Sequence, residues 1–203
     1  MIKEKGGSIC ASPFLFHVSL RPMDSQVLID KALFERVVDR LAHQLLEHHD
    51  FSETDLIGLQ PRGYILAQRI QQRLEELVPN LTIQCGALDT TFHRDDFRQR
   101  EKHITPSSTL MPFLVENRNV ILIDDVLFTG RTIRSGLDAL MAHGRPKAVQ
   151  LLVLIDRRFQ RELPIEAQFI GKSVDSLDMQ YVFVDWGDLP GSSQVLLLNE
   201  KPA

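Results

Sequence analysis

A run of four apolar residues at 120–123 leads directly into the acid pair Asp124 and Asp125 and then into a short loop containing Gly130. An apolar run of this length, bounded by turn residues, is typical of a strand that is buried on both faces. After the loop, apolar residues recur at helical spacing from Ile133 to Leu140. Strands buried on both faces belong to parallel sheets covered by helices, so the pattern predicts an α/β fold.

The same alternation of strand and helix patterns extends over most of the 203 residues. A helix is predicted after Asp30, which is a suitable N-cap, and a second helix is predicted between the turn at 60–63 and Pro79. Further strands are predicted at residues 56–59, 82–88, 149–155, 167–170, 181–184 and 195–198. We expect the last three to form a small C-terminal subregion beside a central, mostly parallel sheet that helices flank.

Length and periodicity together predict one domain, at residues 28–203. Residues 1–27 lack a sustained apolar period and are predicted to form an N-terminal extension. The polar stretch at 89–112 is too long for an ordinary connection, which indicates a functional loop.

Composition excludes several classes of protein. No apolar run approaches the roughly 20 residues that cross a bilayer, so no membrane segment is predicted and a cytoplasmic location is expected. The chain has only two cysteines, which cannot form a disulfide framework. The net charge of −4 disfavours a surface made entirely for nucleic acid, although a local basic face stays open.

The acid pair and the following loop suggest a specific chemistry. In open α/β sheets, ligands bind beyond the carboxyl ends of the strands, which is where Asp124 and Asp125 lie. The loop at 128–132 enters a helix, so its backbone N–H groups and the helix dipole can hold a phosphate. Two carboxylates would repel a phosphate alone, but ribose hydroxyls and Mg²⁺ would match them, so the pattern favours a sugar phosphate.

Two other interpretations of this pattern stay open. An apolar strand ending in Asp-Asp also occurs in nucleoside triphosphatases, but those enzymes need a Gly-x-x-x-x-Gly-Lys loop that this sequence lacks. Alternatively, the acids simply cap the following helix.

Residues 120–132 resemble the phosphoribosyl pyrophosphate (PRPP) motif of type I phosphoribosyltransferases, and most closely the version in the PyrR family. That family combines uracil phosphoribosyltransferase activity with regulation of the pyrimidine operon. The resemblance covers about residues 28–185, including the segments at 57–63, 88–96, 144–146 and 161–165. It implies a type I phosphoribosyltransferase fold with a flexible hood loop, the ligands PRPP, uracil and UMP, the cofactor Mg²⁺, and a homo-oligomer.

The resemblance also implies roles for individual residues. The expected catalytic residues are Asp124, Asp125, Arg62 and Arg94. The expected PRPP- and phosphate-binding residues are Pro61, Gly63, Val126, Leu127, Phe128, Thr129, Gly130, Arg131 and Thr132. Metal contacts are expected from Asp124 and Asp125, directly or through water or ribose, and from Asp95. For Arg62 alone, an exposed position in a turn is the alternative.

The acceptor base is expected to be a pyrimidine. Purine-using relatives carry an acid immediately before the Thr-Gly pair, and this chain has Phe128 there. The base is expected near Phe183, Val184 and Trp186. The hood departs from the family pattern at His93, where a Tyr is typical.

A second hypothesis is an RNA-binding attenuation regulator that responds to uridine nucleotides. The residues expected to contact leader RNA are Arg40, His43, Arg157, Arg161 and Lys172. Against it, Asp39 replaces a family Thr, and the segment 156–161 departs from the family's Asp-Arg-Gly-His-Arg pattern. A third hypothesis is a catalytically silent protein that binds PRPP or a nucleotide.

Overall fold

The computed structural model describes residues 25–93, 108–177, 179–188 and 191–199. Its helices are α1 (Lys31–His48), α2 (Arg62–Leu77) and α3 (Arg131–Met141), with a 3₁₀ turn at Thr91–His93. Its strands are β1 (Ser25–Ile29), β2 (Thr54–Leu59), β3 (Cys85–Leu88), β4 (Asn119–Leu127), β5 (Ala148–Arg158), β6 (Phe169–Asp175), β7 (Tyr181–Asp185) and β8 (Gln194–Leu198).

The central sheet has five strands in the order β3-β2-β4-β5-β6. All four pairings in it are parallel, and β4 lies in the middle between β2 and β5. Residues 120–125 of β4 are buried throughout, as a strand covered on both faces requires. The predicted α/β fold with a parallel sheet is confirmed.

Two apolar cores cover the two faces of this sheet. On one face, α1 and α2 pack against Ile121 and Ile123 of β4. On the other face, α3 contributes Ile133 and Leu140, which pack with Leu122. Successive β4 side chains therefore enter opposite cores, which fixes the direction in which the end of the strand points.

The predicted start of α1 is confirmed. The Asp30 side chain accepts a hydrogen bond of 2.8 Å from the backbone N–H of Leu33, as an N-cap does. The second helix ends at Leu77, immediately before Val78 and Pro79. Within the described ranges, no helix combines the length and apolar character needed to cross a membrane.

The second sheet is small and antiparallel, with strand order β1-β8-β7. Its β7 and β8 strands confirm the predicted C-terminal subregion. The strand predicted at 167–170 was assigned wrongly to that subregion, because it is part of β6 and pairs in parallel with β5 at the edge of the main sheet. Strand β1 begins at Ser25, within the predicted 1–27 extension, and residues 1–24 lie outside the described residues.

An ion pair joins β2 to the start of β4 at the amino edge of the sheet, far from the acid pair along both strands. Asp55 is 1% exposed, and Arg118 donates to its two carboxylate oxygens at 2.6 and 3.0 Å. Arg118 also donates to the carbonyl oxygen of Ser52 at 2.6 Å.

We predict that Arg118→Met lowers the free energy of unfolding by about 3 kcal/mol, because it leaves the Asp55 carboxylate buried without its countercharge. Urea denaturation followed by fluorescence measures the change. The matched control is Arg134→Met, since Arg134 pairs with Asp138 where both side chains are about half exposed; exposed pairs contribute about 0.5 kcal/mol. Equal losses in the two variants would contradict the prediction.

Candidate active site

The candidate site lies at the carboxyl edge of the central sheet, where β2, β4 and β5 end. Strand β4 continues through Asp124 and Asp125 to Leu127, four residues beyond its predicted end. Its neighbours contribute the turn that starts α2 after β2, and the segment following Arg158 after β5. Parallel strands thus bring residues distant in the sequence to one edge.

The two acids of the pair are buried side chains, each 7% exposed. The backbone N–H of Asp125 donates to Asp124 Oδ1 at 2.9 Å, which holds the first carboxylate against the strand. Burial raises the pKa of Asp125, while the nearby Arg62 charge and a hydrogen bond from the Val126 backbone oppose that rise.

Arg62, the first residue of α2, joins the acid pair to the small sheet. Its Nε lies 3.1 Å from Asp125 Oδ2, and its Nη2 donates to the Val184 carbonyl oxygen at 2.6 Å. Its guanidinium also lies 5.2 Å from the centre of the Phe183 ring. The Gln60–Pro61 peptide bond that precedes it is cis. The predicted turn residue therefore lies in the site, in direct contact with a predicted catalytic acid.

The position of α2 requires glycine at residue 63. A Cβ at Gly63 would come within 2.3 Å of the Ile123 carbonyl oxygen and 2.9 Å of the Asp124 Cα. Only glycine allows two backbones to approach so closely. The first turn of α2, with its N–H groups unpaired within the helix, is thereby held beside the acid pair.

The loop predicted to hold phosphate runs from the end of β4 to the start of α3. Gly130 has φ of 93°, a left-handed conformation that favours glycine, and α3 begins at the next residue. The Thr129 carbonyl oxygen accepts hydrogen bonds from the N–H groups of Glu162 and Leu163 at 3.0 and 3.2 Å. Its hydroxyl oxygen accepts from the Arg131 N–H at 3.3 Å. The loop is thus fixed at a helix N-terminus, which suits it to an anion.

Two arginines support this loop from the β5 side. Arg161 donates to the Phe128 carbonyl oxygen and to Asp156. The Arg157 guanidinium lies 4.0 Å from the centre of the Phe128 ring, and the residue is 4% exposed. Sequence reasoning placed both in an RNA-binding face; the structure places them in the wall of the site. The sequence signal that could have placed them is their position just after the predicted strand at 149–155, which ends at the same edge of the sheet as β4.

The other residues predicted to contact RNA lie along α1 and the edge strand β6. Arg40 donates to the carbonyl oxygens of Ile170 and Gly171, and Lys172 donates to that of Leu28. His43 Nδ1 lies 2.8 Å from the Asp39 carbonyl oxygen. Among the five residues predicted to contact RNA, Arg157 is buried, and the RNA-binding role of the five stays a prediction.

Of the three residues predicted to lie near the base, two border the candidate site and the third packs elsewhere. Phe183 and Val184 adjoin Arg62, so they border the site. Trp186 instead meets Phe34 edge-on at 5.9 Å between ring centres, and the Arg69 guanidinium covers its ring at 5.3 Å. Trp186 therefore packs against α1 and α2, and its expected place near the base stays a prediction.

The ends of the predicted hood are described, but its middle is not. Asp89 Oδ1 accepts hydrogen bonds from the N–H and hydroxyl groups of Thr91. Ala87 and Leu110 exchange two backbone hydrogen bonds of 2.9 and 2.8 Å, which bring the two ends of the hood together. Arg94 and Asp95 lie outside the described residues.

Comparisons with known proteins agree with this geometry. The phosphoribosyl transferase domain family matches residues 26–190. The structure resembles the hypoxanthine phosphoribosyltransferase of Staphylococcus aureus with a TM-score of 0.62, covering 87% of this chain and 93% of that one at 19% identity. The chain therefore belongs to the phosphoribosyl transferase domain family.

Sequence relatives define the subfamily. A protein of Geobacter sulfurreducens named bifunctional protein PyrR is 45% identical over 152 residues, covering 74% of this chain and 85% of the relative. The protein of the same name from Geobacter sp. strain M21 is 42% identical over 162 residues, covering 79% and 90% respectively. Within its class, the chain is a member of the PyrR family.

The raised pKa of Asp125 predicts a pH-dependent effect of Asp125→Asn on stability. Because the folded protein binds this proton more tightly than the unfolded chain, the Asp125 carboxyl contributes stability at low pH that is lost as pH rises from about 4, the ordinary Asp value, through its raised pKa. The variant cannot titrate there, so its stability relative to wild type should increase with pH and level off above the raised pKa. Loss of the Arg62 contact changes the offset of this curve and not its slope.

Urea unfolding between pH 4 and pH 8, followed by the fluorescence of Trp186, measures this difference. Asp138→Asn is the control, since it makes the same chemical change at an acid that is about half exposed on α3. A relative stability of Asp125→Asn that falls with rising pH would show that burial does not dominate the pKa of Asp125.

Proposed function

We propose that this chain transfers the phosphoribosyl group of PRPP to uracil, producing UMP and pyrophosphate. The observation that carries the proposal is the buried acid pair beside a helix-terminal anion loop, in a chain of the PyrR family. In this reaction the uracil N1 nitrogen bonds to the anomeric carbon, the bond from that carbon to the pyrophosphate oxygen breaks, and uracil releases its N1 proton.

Each part of the site has a role in that reaction. The loop at 129–132 holds the 5-phosphate with backbone N–H groups and the dipole of α3. Asp124 and Asp125 accept hydrogen bonds from the ribose hydroxyls, and their charge favours the positive charge that develops on the ribose ring. Arg62, at the start of α2, faces the side where pyrophosphate leaves.

The acid pair also suits Mg²⁺. Asp125 Oδ2 is buried and accepts no aligned hydrogen bond within the described part of the chain, so it has an unused acceptor position. Mg²⁺ commonly binds through one or two carboxylates together with substrate phosphates and water, which matches Asp124 and Asp125. When bound, the ion would neutralise charge on pyrophosphate.

The environment of Phe128 supports a pyrimidine acceptor. An apolar ring stacked on Arg157 offers no carboxylate that could exchange a proton with a purine nitrogen. We include Phe183 and Val184 among the residues that border the base, because they adjoin Arg62. Family membership further supports a cytoplasmic homo-oligomer.

Formation of UMP from uracil, PRPP and Mg²⁺ tests the main proposal. We expect Asp124→Asn and Asp125→Asn each to lower kcat/KM by about 100-fold or more, a typical cost of removing one group that stabilises transition-state charge. The matched control, Asp138→Asn, changes an exposed acid of α3 and should retain activity.

Three outcomes would contradict the proposal. Equal or better turnover with hypoxanthine or orotate would refute uracil as the acceptor. Unchanged activity in both acid variants would remove the acid pair from the mechanism. A wild-type protein that binds PRPP but forms no UMP would favour the catalytically silent alternative.

We propose as a second function that the protein binds pyrimidine leader RNA in response to uridine nucleotides. The name of its relatives, bifunctional protein PyrR, supports a second activity. Because Arg157 is buried, the predicted contacts that remain for such a surface are Arg40 and His43 of α1, Arg161, and Lys172 of β6.

Binding of a pyrimidine leader transcript at several salt concentrations, with UMP present, tests this second function. Phosphate contacts release counterions, so affinity should fall as salt rises and Arg40→Gln should reduce the slope. Arg134→Gln on α3 is the control and should leave the slope unchanged. Absence of salt-dependent binding at low salt would exclude RNA as a partner of this surface.

A further inference from the structure

Arg157 is a buried cation whose guanidinium joins two loops at the carboxyl edge of the central sheet. Its Nε donates to the Ser176 hydroxyl at 2.8 Å, and its Nη2 donates to Gln160 Oε1 at 3.1 Å and to the Gln180 carbonyl oxygen at 2.9 Å. Burying a guanidinium is costly unless hydrogen bonds compensate it. These donors therefore fix the loop after β5 and the turn between β6 and β7 around one charge.

The same guanidinium covers one face of the Phe128 ring, with 4.0 Å between its central carbon and the ring centre. The Phe128 carbonyl oxygen is held separately by Arg161. Both the ring and the backbone of Phe128 are thus fixed, although the residue lies in a loop. Arg157 therefore leaves at most one face of this ring available to a ligand, because it covers the other face.

Phe128 lies in the chain between the acid pair, which we assign to the ribose, and residues 129–132, which we assign to the 5-phosphate. Leu177 and Met179, which lie in the chain between the Ser176 and Gln180 groups that Arg157 holds, are exposed apolar side chains. Arg157 therefore controls the relative position of two apolar surfaces at the same edge as the acid pair.

We propose that Arg157 is a positioning residue for the acceptor base, acting through Phe128 and the turn at 176–180. The inference rests on the proposed uracil transfer, which it deepens by naming a determinant of base affinity. A change at Arg157 should alter the affinity for the base and not that for PRPP, because the acid pair and Arg62 are held by their own contacts.

Steady-state kinetics of Arg157→Met and Arg157→Lys test the proposal. Cation–π stacking on a desolvated ring is worth roughly 1–2 kcal/mol, so we expect KM for uracil to rise about tenfold in Arg157→Met. The KM for PRPP should stay within about twofold. Arg157→Lys keeps the charge but loses the planar fork, so it should restore part of the uracil affinity. The control is Arg158→Met, which removes the exposed neighbour paired with Asp175.

A further variant keeps the test decisive where Arg157→Met does not fold. Phe128→Leu removes the stacked ring and leaves the Arg157 hydrogen bonds to Ser176 and Gln180 in place. It should also raise KM for uracil, and the double variant with Arg157→Lys should cost less than the sum of the two single changes. Additive effects, or equal increases in KM for uracil and PRPP, would overturn the positioning role.

Calorimetric binding distinguishes failure of this inference from failure of the proposed reaction. If the wild type forms no UMP, the transfer proposal fails, but the affinity for UMP and for ribose 5-phosphate can still be compared. Arg157→Met should weaken UMP binding about tenfold, Arg157→Lys should weaken it less, and both should leave ribose 5-phosphate binding unchanged. An equal loss of affinity for UMP and for ribose 5-phosphate would overturn the positioning role of Arg157, whatever the outcome for the transfer reaction.

Discussion

Two backbones meet at the start of α2, where a side chain on Gly63 would collide with the carbonyl oxygen of Ile123. This contact holds the helix against the buried residues Ile123 and Asp124 of β4. Arg62 then reaches Asp125 across a short gap, and both acids are enclosed between the strand and the helix. The raised pKa of Asp125 and the position of the first N–H groups of α2 both follow from that enclosure.

Arginines give the active edge much of its rigidity. Arg62 connects β4 to β7, Arg161 connects the anion loop to Asp156, and Arg157 connects that loop to the turn after β6. Each uses several donors of a planar group, which suits the joining of separate loops. A site held in this way needs little rearrangement as charge develops, which is the condition for effective electrostatic catalysis.

The parts of the structure that local sequence signals specify were predicted, and those set by distant pairing were not. The apolar run before Asp124 and the glycine at 130 each specify a local backbone conformation. The strand, the loop and the fold class could therefore be predicted from the sequence. The roles of Arg157 and β6 depend on register: Leu127 pairs with Asp156, which brings Arg157 beside Phe128. The packing of Trp186 could not be predicted for the same reason, since only the tertiary fold brings Phe34 against it.

The backbone pairing of Ala87 with Leu110 has a consequence for how proteins of this architecture diversify. The chain leaves the sheet and returns to it beside the same residue pair. The entropic cost of closing the intervening segment therefore grows only with the logarithm of its length. Insertions, deletions and changes of composition there leave the pairing of the central strands untouched. Evolution can therefore alter that segment to suit a different substrate while the sheet and its acid pair are inherited unchanged.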